Sequence, residues 1–350
     1  MLWIGALVAL VGNPIFGALS DRSTSRFGRR RPYLLGGVAC GLAALGLIAA
    51  ADSVPLVLLG WCAAQLAYNA TLAALVAILP DRIPQRQRGT VVGILGVCMP
   101  IGQIAGTYLV ERLAERLAAA LFLPGVIGLV GVTLLVWILP DEPRPASAHG
   151  TGSPPRAQLP RHRNFSLAWL SRLLFVTGSV CLQAYQPFLL LDALGRPAAD
   201  LPRLVFRSTL VQTVTVVCCS VLAGRVSDRL GQRKSAAMLG AVVQGAGLWL
   251  IAVARSYPAF LWGVAVMSIG HGIYEGVNLA LVTEVLPDRD RHAAKDLGLF
   301  NIANTLPQVI APLAAPAILA ASEGYTSLFL IAGAIPMLGA VLLVPLNRVR

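Results

Sequence analysis

Residues 117–139 read LAAALFLPGVIGLVGVTLLVWIL, twenty-three consecutive positions without a charged side chain. At about 1.5 Å of rise per residue, a helix of this length crosses a hydrocarbon core of about 30 Å. Ten other apolar runs of comparable length occupy 1–18, 33–51, 55–79, 90–110, 166–191, 204–224, 236–254, 257–286, 297–320 and 325–346. The runs are continuous and lack the period-2 alternation of an outer-membrane barrel. The sequence therefore predicts an all-α, polytopic membrane protein with eleven spans.

The charges are few and unevenly placed. Hydrophobic residues make up 56% of the chain and charged residues 13%, with a net charge of +12. Of the 28 Lys and Arg residues, 21 lie in alternate connections, namely 19–32, 80–89, 140–165, 225–235, 287–296 and 347–350. This asymmetry is typical of cytoplasmic loops. We therefore expect a multi-pass protein of the plasma (cytoplasmic) membrane in contact with the lipid bilayer, and no nucleic-acid partner.

The chain contains two copies of one unit. The hexapeptide at 17–22, GALSDR, returns as GRVSDR at 224–229, an offset of 207, and the tetrapeptide LPDR at 79–82 returns at 286–289 with the same offset. Such parallel repeats are typical of transporters. The predicted domains are an N-terminal half at 1–139, a cytoplasmic linker at 140–165 rich in Pro, Gly and Ser, and a C-terminal half at 166–350.

The loops after each copy carry a specific motif. Gly17, Asp21 and Arg22, followed by Gly28, Arg29 and Arg30, resemble the signature between the second and third helices of the major facilitator superfamily. A degenerate copy in the second half comprises Gly224, Asp228, Arg229 and Arg233. The complete loop sequence at 20–32 is similar to that of sucrose–proton symporters and of the related glycoside–cation symporters. The resemblance implies two pseudo-symmetric halves, twelve helices, alternating access and a gating role for these loop residues.

The loop chemistry agrees with that role. A carboxylate such as Asp21 among guanidinium groups can form bidentate pairs that hold two helix ends together. In the second half, two spans, 166–191 and 204–224, lead to the copy at 224–229. In the first half, only the span 1–18 leads to the copy at 17–22, which is one helix fewer than the twelve-helix pattern requires. We expect that the first helix of the family is missing from this chain, through a misassigned start or a truncation. The symporters resembled here carry an acidic residue on that first helix.

Polar groups inside spans are the candidates for a substrate site, since burying them in hydrocarbon is costly. At 100° per residue, one face of 257–286 collects Ser268, His271, Tyr274, Glu275 and Asn278. Glu275 is the one acid well inside a span, and a carboxylate that can be neutral or charged at working pH is suited to carry a proton. His271, four residues away, can touch it. Glu275 is therefore the predicted proton-coupling residue.

Amide and phenol side chains on other spans complete the predicted substrate site. Arg172, close to the cytoplasmic end of 166–191, is expected to snorkel towards the interface. The candidate substrate-binding residues are Gln65, Tyr68, Asn69, Gln103, Gln183, Gln186, His271, Tyr274, Asn278, Asn301, Asn304 and Gln308.

These observations favour a secondary active transporter over an enzyme. The sequence shows no nucleophile–base pair, phosphate loop or metal-ligand cluster, and its six cysteines all lie inside predicted spans, so no cofactor or metal is predicted. The resemblance implies proton-coupled uptake of a sugar or glycoside by a monomer. The alternatives are an efflux carrier for drugs or metabolites, for which an aromatic content of 7% is low, and a truncated fragment that does not transport.

Overall fold

A computed structural model describes residues 2–23, 25, 27–82, 85–138, 163–285, 302–321 and 324–346. Across these residues the protein is all-α and contains no strand, which confirms the predicted fold class. The helices are α1 (Leu2–Arg22), α2 (Arg31–Ala49), α3 (Val54–Arg82), α4 (Gln85–Arg112), α5 (Leu117–Ile138), α6 (Arg163–Phe188), α7 (Leu201–Leu230), α8 (Arg233–Ala252), α9 (Tyr257–Val285), α10 (Pro307–Ala321) and α11 (Tyr325–Leu343).

The surface of the bundle suits lipid. Eight helical segments in the described part of the chain are long and apolar enough to cross a membrane, and Ile4–Ser20 is a shorter apolar helix. Large apolar side chains point outward along them: Trp137 is 82% exposed and Trp262 is 73% exposed. A soluble protein rarely leaves so much contiguous apolar surface in water. The protein is therefore a multi-pass integral membrane protein.

The chain divides into two compact units, Met1–Ser153 and Pro154–Arg350. In the first unit, α3 packs against α1 and α2, and α2 packs against α5. In the second unit, α9 packs against α7 and α8, while α6 packs against α10 and α11. The boundary falls within the predicted linker, most of which lies outside the described residues.

Helices α7 and α9 approach each other closely because glycines line the contact. A Cβ on Gly276 would collide with the backbone oxygen of Ser220, and one on Gly272 would lie 2.7 Å from the Cβ of Cys219. Small residues at spacing four let helix backbones meet, the usual way in which membrane helices associate. This contact fixes the position of α9, which carries the predicted coupling residue Glu275 and three of the predicted substrate-binding residues.

Two sharp turns bring the chain back into the bundle after α1 and α7. Gly28 has φ 103° and Gly231 has φ 63°, both in the left-handed region that glycine tolerates. Pro32 occupies the first turn of α2, where its missing N–H costs no helical hydrogen bond. The predicted span at 297–320 is interrupted at Leu306, between a helical turn at 302–305 and the start of α10 at Pro307.

Candidate functional site

The centre of the second unit holds a buried ion pair between α6 and α9. Arg172 Nη1 lies 2.7 Å from Glu275 Oε1, and Arg172 as a whole is 7% exposed. The expectation that Arg172 snorkels to the interface is therefore wrong. A carboxylate inside the bundle compensates its charge where it stands, so the side chain turns inward.

Three other groups hold the guanidinium of Arg172 in place. Its Nε donates a hydrogen bond to Asn304 Oδ1 at 2.7 Å. Its Cζ stands 5.5 Å from the ring centroid of Tyr274 and 5.9 Å from that of Phe175. These two rings stack on each other at 3.8 Å and are fully buried. The cation therefore rests against an aromatic platform, which adds cation–π attraction to the ion pair.

His271 adds a second proton-binding group to the cluster. Its Nε2 lies 3.7 Å from Glu275 Oε1, and its Nδ1 lies 3.1 Å from Gln244 Oε1 and 2.9 Å from Ser179 Oγ. The amide of Gln244 is oriented because its Nε2 donates to the backbone oxygen of Phe175 at 2.8 Å. Gln244 therefore presents an acceptor to His271.

That acceptor determines which ring nitrogen carries the proton of neutral His271. Because Gln244 Oε1 can only accept, Nδ1 is the donor, and the lone pair of Nε2 faces the carboxylate. A proton arriving between His271 and Glu275 can then be bound by either group and stabilised by the other. The arrangement places two titratable side chains, His271 and Glu275, next to the cation of Arg172.

The net charge of this cluster is zero when His271 is neutral, since Arg172 and Glu275 cancel. Removing one partner of a buried ion pair costs about 3 to 5 kcal/mol, because the remaining charge loses its compensation in a low-dielectric surrounding. The side chain of Glu275 is 30% exposed and that of Arg172 is 8% exposed. Of the two partners, Glu275 is therefore the more accessible.

The remaining predicted residues of the second unit are spread around this centre. Tyr274 is part of the aromatic platform, and Asn304 accepts the hydrogen bond from Arg172 Nε. Asn278 follows Glu275 on α9 and has a buried Oδ1 without a partner. Gln186 is buried and donates to Ser208 Oγ at 2.5 Å, a separate contact between α6 and α7. Gln183 and Gln308 are exposed, and Asn301 lies outside the described residues.

Four residues of the cluster were not among the predicted site residues, namely Arg172, Ser179, Gln244 and Phe175. Gln244 orients His271, and Phe175 completes the platform. Gln244 is an amide in the middle of the apolar run 236–254, so the rule that selected the other amides also applies to it. Phe175 has no such signal, because an aromatic residue in a membrane helix is ordinarily a packing residue.

The polar residues predicted in the first unit make different contacts. Asn69 Nδ2 donates to the backbone oxygen of Gln65 at 2.8 Å, within its own helix. The ring of Tyr68 packs on Gly41 of α2, with its hydroxyl towards Gly125 of α5. Gln103 on α4 is exposed. These residues do not form a charged cluster comparable to that of the second unit.

The signature loops are partly described. Arg30 is 4% exposed and its Nη1 donates to Ser20 Oγ at 2.7 Å, which ties the start of α2 to the end of α1. The side chains of Asp21 and Arg22 lie outside the described residues. Gly17 and Arg29 are partly buried, and Arg229 is exposed.

In the second loop, Arg233 Nη2 lies 3.5 Å from Asp228 Oδ1. The side chain of Asp228 is 71% exposed there. A Cβ on Gly224 would lie 3.3 Å from the backbone oxygen of Gly276, so Gly224 belongs to the close contact of α7 with α9.

Comparison with known proteins assigns the fold and the family. The family model of the Major Facilitator Superfamily matches residues 1–205 and 208–350. A structure of a bacterial homologue of the human lysosomal transporter Spinster, inward-facing and occupied, is similar with a TM-score of 0.71 at 13% identity. The similarity covers 99% of this chain and 87% of that one.

Two other proteins are similar over different lengths. The structure of the human organic anion transporter MFSD10 (TETRAN) has a TM-score of 0.66 at 18% identity, over 97% of this chain and 83% of that chain. The multidrug resistance protein MdtL of Klebsiella pneumoniae (strain 342) is 38% identical over 93 residues, which are 27% of this chain and 23% of that protein. The aligned stretch thus spans under a quarter of the curated relative.

Proposed function

The chain belongs to the Major Facilitator Superfamily of membrane transporters, and on that basis we propose that it couples substrate movement to protons through Glu275, Arg172 and His271. The observation that supports this most directly is the buried ion pair at 2.7 Å with the ring of His271 beside it. Glu275 is the proton carrier, His271 shares or orients the proton, and Arg172 is the counter-ion that decides when the carboxylate is charged.

The reason is electrostatic. An ionisable group inside a membrane bundle is costly to keep and marks a proton or ion pathway more often than a structural contact. Glu275 is partly exposed, it is paired with the permanent charge of Arg172, and the ring of His271 beside it can itself take up a proton. Alternating access would then expose the loaded and the unloaded cluster to the two sides of the membrane in turn, with the halves 1–139 and 166–350 as the moving parts and 140–165 as their linker.

Two combinations of transport direction and substrate are candidates. The sequence of the loop at 20–32 favours uptake of a sugar or glycoside by proton symport. In this case the protein would act as a monomer in the plasma membrane. The stretch that is 38% identical to a multidrug resistance protein favours efflux. We place uptake first because the contacts around Arg172 are polar and specific, whereas a multidrug site is expected to be broad and apolar.

The test is Glu275→Gln in proteoliposomes, assayed in two ways. We expect accumulation driven by a pH gradient to be lost, while counterflow of the same substrate down its gradient remains measurable. The matched control is Glu111→Gln, an acid at the end of α4 outside the cluster, which should keep both activities. Normal accumulation by Glu275→Gln would exclude it as the coupling residue, and loss of both activities would point to substrate binding or structure instead.

A further inference from the structure

We propose that the substrate of this site carries one negative charge, most simply a carboxylate, and that it binds together with the coupling proton. The inference rests on the proposed role of Glu275 and adds the class of substrate. It follows from the charges that the second unit keeps inside its helices and from the way in which they are held.

Four loading states of the cluster differ in net charge. The empty cluster is neutral, because Arg172 and Glu275 cancel. A proton alone leaves Arg172 uncompensated, and an anion alone leaves a net negative charge beside Glu275. A proton and an anion together restore neutrality, with the anion taking the place of the carboxylate next to Arg172. Since a buried uncompensated charge is strongly disfavoured, the two neutral states dominate.

The geometry around Arg172 suits this exchange. Asn304 holds Nε, and Tyr274 and Phe175 lie beside the guanidinium plane, so the cation keeps its position when Glu275 becomes neutral. Nη1 is the atom that Glu275 now contacts, and it becomes available to a new acceptor. A planar guanidinium binds a carboxylate or a similar oxyanion through parallel hydrogen bonds. Protonated Glu275, in turn, can donate a hydrogen bond to the same anion.

The side chains around Glu275 differ in whether a proton can change their charge. Helix α6 contributes Arg172, α9 itself contributes His271 and Tyr274, and α7 brings Cys219 against Gly272 one turn away. Helix α8 contributes the uncharged amide of Gln244, which contacts His271. The turn at 302–305 contributes Asn304, which contacts Arg172. Arginine stays charged, the amides do not titrate, and a phenol or thiol gains no positive charge. Among the described residues, the Glu275–His271 pair is therefore the group whose protonation this mechanism uses.

This charge rule narrows the sugar prediction without discarding it. A sugar acid supplies hydroxyl groups for the amides and a carboxylate for Arg172, whereas a neutral sugar leaves Arg172 uncompensated once Glu275 is protonated. Cotransport of one proton with one monoanion also moves no net charge. Transport should then respond to a pH gradient and not to a membrane potential.

The experiment compares acids with their own amides on the purified full chain. Thermal stabilisation is measured at pH 5.5 and pH 7.5 with glucuronate and glucuronamide, lactate and lactamide, and benzoate and benzamide. We expect at least one acid to stabilise the protein, with an affinity that falls by up to about tenfold per pH unit as pH rises, and its amide to have no effect. Glu275→Gln should bind that acid at pH 7.5 at least as tightly as the unmodified chain does at pH 5.5, because glutamine is neutral at both pH values. Glu111→Gln should keep the pH dependence.

The outcomes separate the two proposals. Binding of an amide as tightly as its acid, stabilisation by none of the acids, or acid binding that does not weaken with pH would each overturn the anionic substrate. If an amide binds and Glu275→Gln still loses pH-driven accumulation, proton coupling stands and only the substrate class is wrong. The acid–amide comparison uses the unmodified chain, so it remains decisive even if Glu275→Gln folds poorly.

Discussion

Helices α3 and α9 are repeat-related elements of the two units, yet they carry different chemistry. On α9, Glu275 and His271 meet Arg172 in a buried charged cluster. Besides the offset of 207, the repeat has an offset of 203 between Gly28 and Gly231 and between Pro55 and Pro258. These two offsets place Leu72 or Tyr68 opposite Glu275, so α3 has no acid at that level. Its Tyr68 packs inside the first unit, and its Asn69 bonds to its own helix backbone.

Among the described residues, the repeat preserves the helices and the return loops but not the charged cluster. The helices recur in both units because each copy needs the same spans and the same return loops. A charged cluster needs to exist in only one copy, since a second buried ion pair would add desolvation cost without adding a coupled proton. The described part of the first unit is therefore expected to contribute uncharged contacts, and the second unit the coupling chemistry. Three substitutions, each with a control, test that division.

The largest effect is expected where α9 meets α7. Gly276→Leu should prevent accumulation of folded protein, because its side chain would occupy the space of the Ser220 backbone. The matched control in the first unit is Gly131→Leu on α5, where a Cβ meets no atom within 4 Å. Size-exclusion chromatography of both variants in detergent measures the result. Equal recovery of the two proteins would show that the α7–α9 contact does not fix the position of α9.

A smaller effect is expected for the amides. Asn304→Ala should reduce transport by about tenfold, since a hydrogen bond to a charged group contributes about 1.5 to 3 kcal/mol and Arg172 would lose the partner of its Nε. The control in the first unit is Asn69→Ala, which should change transport by less than about threefold, because its bond is local to α3. Initial rates of uptake in proteoliposomes provide the comparison. A greater loss from Asn69→Ala than from Asn304→Ala would reverse the assignment of the two units.

The smallest difference is expected between the two loops. Asp21→Asn should slow transport more than it weakens substrate binding, because a latch stabilises one conformer and touches no substrate. Asp228→Asn should have less effect, since its carboxylate is 71% exposed and stands 3.5 Å from Arg233, and exposed pairs contribute about 0 to 1 kcal/mol. Transport rates and binding affinities measured on the same preparations separate the two effects. A normal rate for Asp21→Asn would remove the gating role from this loop.

The helices could be predicted from the sequence because membrane insertion acts on composition alone. The run at 257–286, for example, became α9 from Tyr257 to Val285, one residue from the prediction. The polar face of α9 was also predictable, since the helical period fixes which residues share a side. The residue that pairs with this polar face could not be predicted. The pairing of Arg172 with Glu275 joins residues 103 positions apart. The helical period places Arg172 on the same face of α6 as Ser179 and Gln186, but the period of one helix does not show which side chain of another helix that face meets.

The orientation of Gln244 was beyond prediction for a related reason. That amide matters because it holds Phe175 on one side and His271 on the other, a contact among three helices. Similarly, nothing in the spacing of Tyr68 and Asn69 distinguishes a polar stripe that lines a site from one that packs within its own unit. Such choices are made by tertiary packing, which the sequence pattern of one helix does not contain.

Arg172 and Glu275 exist in the bundle as a pair, and a double-mutant cycle on thermal unfolding tests this pairing directly. The midpoint is measured for the unmodified chain, Arg172→Gln, Glu275→Gln and the double variant in the same detergent and at the same pH. We expect Glu275→Gln to be the least stable, because it leaves the permanent charge of Arg172 without its partner. The double variant should be more stable than Glu275→Gln, and the coupling should be about 2 kcal/mol or more. Effects that simply add would contradict the pairing and remove the basis for a proton site at Glu275.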